Sequence, residues 1–152
     1  MTPTQSPSRR LVFVNRFYAP DHSATSQILS DVAEALSDRG HDVTVVTSRM
    51  SYDASAKYER RETRAGVKVR RIWTTRFGRG STIGRAFDYL TFYLSVTLSL
   101  LFSLSKGDIL IAKTDPPMLS IPLGVVARLR GVKLVTWLQD VFPEELPAIP
   151  PA

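Results

Sequence analysis

Four consecutive apolar residues, Leu11-Val12-Phe13-Val14, lead through a polar loop containing Pro20 into a stretch of helical periodicity. No other part of the chain constrains the fold as strongly. A run this short, bounded by polar residues, reads as a strand buried on both faces. Ile28, Val32, Ala35 and Leu36 then recur at helical spacing. Arg39-Gly40 supplies a stop, with a cation at the negative end of the helix dipole and then a residue free to turn left-handed. Strand, loop and helix N-terminus in this order open an α/β fold of nucleotide-binding type.

The rest of the chain repeats the unit. Asp42 to Ser48 is a second, β-branched strand. Arg49 to Ala65 is polar and basic and reads as a loop or frayed helix. Val67, Val69 and Trp73 alternate with charged positions, the pattern of a strand exposed on one side and placed at an edge. Phe87 to Leu104 is the most apolar stretch, with no charge between Asp88 and Lys106. Its length is at the lower limit for a bilayer span. Thr91, Ser95, Ser99 and Ser103 form a stripe suited to close packing on a neighbour. A helix packed on the sheet is the favoured reading, beside a bilayer-inserted helix and one with a single face in the membrane interface. Asp108 to Lys113 is a buried strand, and Pro117 is placed to begin the next helix. That helix stops at Arg128, Arg130 and Gly131, and Lys133 to Leu138 is the last strand.

Strands alternating with helices imply a single Rossmann-like, doubly wound, mostly parallel sheet with helices on both faces and right-handed crossovers. We read residues 1–9 as a disordered N-terminus, 10–146 as the domain and 147–152 as a Pro-rich tail. A chain of 152 residues with 43% hydrophobic residues suits one domain with an ordinary core. The chain has no cysteine, which excludes disulfide and thiolate chemistry and is compatible with a reducing compartment. Met1 to Arg10 has no apolar segment of signal-peptide length.

Charge is concentrated. Lys57 to Arg85 holds ten Lys/Arg against Glu59 and Glu62 and carries +8, so the rest of the chain carries −2 of the overall +6. Such a block is either a solvated loop or a surface for a polyanion. Arg70, Arg71, Arg76, Arg79 and Arg85 are its candidate membrane or phosphate patch. Basic residues next to exposed aromatics, here Phe87, Tyr89, Phe92 and Tyr93, are the two signals of peripheral membrane binding, in this case to anionic lipid. No nucleic-acid motif accompanies the block, and its aromatics are not interleaved as stacking platforms, so nucleic acid is not an expected partner.

In a doubly wound sheet, ligands bind beyond the carboxyl ends of the strands where strand order reverses. Three loops qualify, Asn15 to Thr25, Thr114 to Pro117 and Gln139 to Glu144. They and the adjoining strand end hold Asn15, Arg16, Tyr18, Asp21, His22, Ser23, Lys113, Asp115, Gln139, Asp140 and Glu144. There is no GxGxxG after the first strand and no GxxxxGK[ST], which argues against a dinucleotide site and a P-loop phosphotransferase. With two histidines and no cysteine a zinc site is not expected, and we expect no metal and no cofactor. His22 reads as a base, a loop cap or a solvated residue, and His41 as structural.

Five segments together resemble the N-terminal half of a GT-B glycosyltransferase of family 4 (group 1). They are Phe13 to Pro20, Leu36 to Thr47, Gly66 to Val69, Lys113 to Pro117 and Trp137 to Glu144. The resemblance covers roughly Arg10 to Glu145. It implies an acceptor-side domain, with a nucleotide-sugar donor held mainly by a second Rossmann-like domain that these 152 residues do not include, so that the chain alone is expected to be incomplete for catalysis. It further implies a lipid-linked or polysaccharide acceptor, cell-surface glycan synthesis, and a cytoplasmic location at the inner face of the plasma membrane. By position Asp140 matches the family's catalytic residue after the last strand and would orient or deprotonate an acceptor hydroxyl. It also fits a helix cap or turn. Asp115 fits equally a turn before two prolines. The contrasting reading is a catalytically inactive half-domain that binds a membrane or a partner chain.

Overall fold

The computed structural model describes residues 9–53, 55–78 and 80–139. The ends read above as a disordered N-terminus and a Pro-rich tail lie outside this range, apart from Arg9. Nine elements follow in chain order: β1 (Leu11–Val14), α1 (Ala24–Asp38), β2 (Val43–Ser48), β3 (Arg61–Arg64), β4 (Val67–Ile72), α2 (Thr82–Ser103), β5 (Ile109–Lys113), α3 (Ser120–Arg130) and β6 (Lys133–Trp137). They form a six-stranded sheet in the order β3-β4-β2-β1-β5-β6. All pairings are parallel except β3 with β4.

The pleat sends alternate residues of each strand to opposite faces, and both faces are apolar near the centre. Phe13, Val43, Val45, Val67, Val69 and Ile111 pack with Leu29 and Ala33 of α1. Val12, Val14, Val46, Ile72 and Leu110 pack on the other face with Phe92, Val96 and Leu100 of α2 and Leu123 and Val126 of α3. Each Val, Leu, Ile or Phe among them contributes about 1.5–3 kcal/mol when fully buried. The result is the doubly wound sheet expected from the alternation of elements.

The helix ends follow local chemistry. Ser23 caps α1 by accepting from the Ser26 N–H, and Ser81 caps α2 by accepting from the Gly84 N–H. Past α1, Gly40 takes φ +88°, and the His41 N–H reaches back to the Leu36 carbonyl at 3.1 Å.

The structure corrects the sequence reading in four places. The basic segment before Ala65 is neither wholly loop nor helix, because it contains β3. Ala65 (φ 47°) and Gly66 (φ +77°) form a two-residue turn that folds β3 back on β4. β4 is therefore flanked on both sides, and β3 is the edge. Arg61-Glu62-Thr63-Arg64 has no apolar alternation and three of its four residues are exposed, so periodicity could not find it. The small-residue stripe of α2 packs closely on a neighbour only at Thr91, whose Oγ1 lies 3.0 Å from Thr75 Oγ1. Ser95, Ser99 and Ser103 instead face a groove beside β4. Finally, α3 begins at Ser120, three residues after Pro117.

Candidate functional site

β1 pairs with β2 on one side and β5 on the other, so the strand order reverses between β1 and β5. The loops leaving these two strands are tied together there: the Arg16 N–H donates to the Asp115 carbonyl at 2.9 Å. The Arg16 carbonyl accepts from the Ser48 N–H at 3.0 Å and from Thr47 Oγ1 at 2.9 Å. A cavity of about 400 Å³ opens above this junction, lined by Arg16, Tyr52, Arg76, Arg85, Asp88, Tyr89 and Asp115, among others.

Three arginines converge on it from three elements. The Arg16 guanidinium lies 5.0 Å from the Phe17 ring centroid and 4.9 Å from that of Tyr89. Its Nη2 is 3.8 Å from Asp88 Oδ2. Two aromatic faces and a carboxylate thus hold one cation in a fixed orientation. Arg85 stands on the first turn of α2, and Arg76 on the loop between β4 and α2.

That loop is held by Asp88, which is only 3% exposed. Its Oδ1 accepts from Thr75 Oγ1 at 2.7 Å and from the Phe77 N–H at 2.8 Å, and its Oδ2 from the Gly78 N–H at 2.8 Å. Gly84 lets the helix approach the loop, since a Cβ there would sit 2.3 Å from the Phe77 carbonyl oxygen. The mouth of the cavity therefore carries the positive charge of Arg76 and Arg85, with the fixed Arg16 at the floor. Such a site suits a phosphate or pyrophosphate group.

Not all residues expected at the site are in it. Asp115 lines the cavity, and its charge, after burial and Tyr89, holds the Tyr93 phenol above its ordinary pKa. Asn15 is buried and donates to the Phe17 carbonyl at 2.7 Å, so it shapes the loop. Tyr18 lies in the core under α1. Burial first, then the Glu34 charge, pushes its pKa up to about 12. Asp21 spends both oxygens on backbone, accepting from the Ser23 N–H at 3.0 Å and the Tyr52 N–H at 2.5 Å. Ser23 is the helix cap. His22 is exposed, and its carbonyl accepts from Gln27. Lys113 is 1% exposed, donates to the Thr25 carbonyl at 3.0 Å and sits 4.4 Å over the Trp137 ring. Gln139 is half-buried, and its Oε1 has no hydrogen-bond partner among the described residues. Asp140, Glu144 and Arg79 lie outside the described residues.

The basic patch is divided by the fold. Arg70 and Arg71 are consecutive on β4 and so point to opposite faces. Arg71 is buried, pairs with Glu62 at 2.7 Å, donates to the Ala19 carbonyl at 2.7 Å and lies over Tyr58. Arg70 donates to the Ser99 carbonyl at 3.0 Å on the α2 side. Arg76 and Arg85 belong to the cavity.

Of the aromatics expected on the surface, Tyr89 lines the cavity and Phe92 is buried on the sheet side of α2, while periodicity alone does not single out Asp88 or Tyr52. One signal for Asp88 was present. It stands in phase with Phe92, Val96 and Leu100, the row that α2 buries. A lone acid on a buried row needs partners.

The family model described as glycosyl transferase 4-like domain matches residues 24–151 of the chain. No curated protein matches it.

Proposed function

The chain belongs to the glycosyl transferase 4-like family, and from that premise we propose that its cavity binds a phosphate-bearing acceptor. In this reading the domain forms the acceptor side of a cleft. There a sugar passes from a nucleotide-sugar to a lipid-linked or glycan acceptor during cell-surface glycan synthesis. The observation that carries the reading is the convergence of Arg16, Arg76 and Arg85 on one cavity at the strand-order reversal.

The geometry supports one division of roles around the cavity. Arg16, fixed between Phe17 and Tyr89, orients the anion. Arg76 and Arg85 neutralise its remaining charge at the mouth. Asp88 acts as a positioning residue, because it sets the loop that carries Arg76. Asp140, three residues in sequence beyond Trp137 at the end of β6, is the proposed base toward the acceptor hydroxyl. Asp140→Asn is expected to keep acceptor binding while losing transfer, and wild-type transfer in that variant removes it from the role.

Isothermal titration with inorganic pyrophosphate, farnesyl pyrophosphate and farnesol tests the acceptor assignment. Both pyrophosphates are expected to bind and farnesol is not. Arg76→Ser with Arg85→Ser removes two charge-assisted contacts, each contributing about 1.5–3 kcal/mol, so affinity should fall at least about a hundredfold. Absence of pyrophosphate binding, or affinity unchanged in the double variant, overturns the assignment. In that case the half-domain without acceptor chemistry is the better description.

A further inference from the structure

The outward side of α2 and α3 is unusual for a surface. On α2, Ile83, Phe87, Leu90, Leu94, Leu98 and Phe102 are each more than half exposed, Phe102 at 82%. Their spacing of three or four residues makes one stripe along the whole helix, about 33 Å at 1.5 Å per residue. On and just before α3, Met118, Ile121, Val125 and Leu129 are likewise more than half exposed. The two helices pack side by side on the same sheet face. Their buried rows point to the sheet, so both stripes point away from it and form one apolar surface. Patches of this extent mark an interaction site.

Charge defines the partner. Between Tyr89 and Gln139 the acids are Asp108 and Asp115. Asp108 is buried and paired with Arg10, and Asp115 is half-buried at the cavity. Exposed Lys106, Arg128 and Arg130 stand at one end of the apolar surface and Arg85 at the other. Along its flank a groove between α2 and β4 brings Arg60, Arg61 and Arg70 beside Trp73 and Phe102, with Glu59 as the acid in a lining that holds five arginines. Burial first, then the charges of Arg61 and Arg10, lowers the pKa of Arg70.

We propose that the α2–α3 face docks on an anionic lipid bilayer, the apolar stripes entering the acyl boundary and the Arg60–Arg61–Arg70 groove taking a lipid phosphate. A second copy is the weaker occupant, since a two-fold interface would set this cationic rim against itself. A spanning α2 is also disfavoured. The helix meets the length and composition test for a span, but its inner row holds Phe92, Val96 and Leu100 in the core and Asp88 on three hydrogen bonds. Docking stands on exposure and charge, whichever substrate the cavity takes. Because Arg85 and the first turn of α2 border the cavity, it also sets the cavity mouth near the headgroups.

Flotation with vesicles tests this. One set holds phosphatidylglycerol and phosphatidylethanolamine, the other phosphatidylcholine alone. The chain should float with the anionic vesicles at least about tenfold more than with the neutral ones. Leu94→Asn with Leu98→Asn changes only exposed positions, and Arg60→Ser with Arg61→Ser changes only the groove rim. Each should lower anionic-vesicle binding about tenfold or more while far-UV circular dichroism stays wild-type. Trp73 and Trp137 are the two tryptophans, so Trp137→Phe leaves Trp73 as reporter, and its emission should shift blue on binding. Equal binding to both vesicle types, binding unchanged in both double variants, or a Trp73 spectrum that does not move overturns the proposal. So does a dimer by light scattering that Leu94→Asn/Leu98→Asn dissociates and that does not bind vesicles.

Discussion

Replacing Asp88 by alanine removes the acceptor for three donors at once. The carboxylate takes Thr75 Oγ1, the Phe77 N–H and the Gly78 N–H, all at 2.7–2.8 Å, and it faces Arg16 at 3.8 Å. Bonds to a charged group contribute about 1.5–3 kcal/mol each. Thr75 Oγ1 also reaches Thr91 Oγ1 at 3.0 Å, and water from the cavity can solvate part of what is exposed. The loss therefore falls below the plain multiple, at about 3–5 kcal/mol, the range for breaking a buried pair from one side. Asp88→Asn keeps the shape and one acceptor oxygen but sets an amide N–H₂ against a backbone donor, so about 1.5–3 kcal/mol is expected. Urea unfolding followed by far-UV circular dichroism measures both. With a slope of about 2 kcal/mol/M, the midpoint should drop by about 2 M for the alanine variant and about half that for asparagine. A loss under ~1 kcal/mol in Asp88→Ala would refute the argument that this carboxylate holds the loop.

Two further outcomes follow from local geometry. Ala65 holds a left-handed φ of 47° in the β3–β4 turn, so Ala65→Asn should stabilise the domain by about 0.5–1 kcal/mol in the same urea experiment. For Tyr18, the folded phenol keeps its proton to a pKa of about 12 against 10.0 for the free side chain. The unfolded chain thus loses that proton first, so stability is full below pH 10 and falls as pH rises from 10 toward 12, by up to about 2 kcal/mol. Tyr18→Phe should flatten that decline in thermal melts taken between pH 9 and 12.

Sequence alone determined the architecture. β-branched and apolar runs separated by helical periodicity and Arg-Gly stops admit few folds besides a doubly wound parallel sheet, and the strands it marked lie within about a residue of those observed. It narrowed the strand-order reversal to three loops, and the strand order in the sheet then picked out those after β1 and β5. Tertiary structure decided which residues share the site. Asp21 and Ser23 looked like ligands in a polar loop, yet a folded loop must satisfy its own backbone N–H groups, and these side chains are used for that. The +8 block read as one patch, but the pleat of β4 sends Arg70 and Arg71 to opposite faces, and the loop held by Asp88 carries Arg76 into the cavity. β3 escaped notice because an edge strand made of charged residues has no hydrophobic period, and its existence depends on a turn that only the fold brings against β4. Periodicity reports which face of an element is buried; which side chains meet across elements is set by packing.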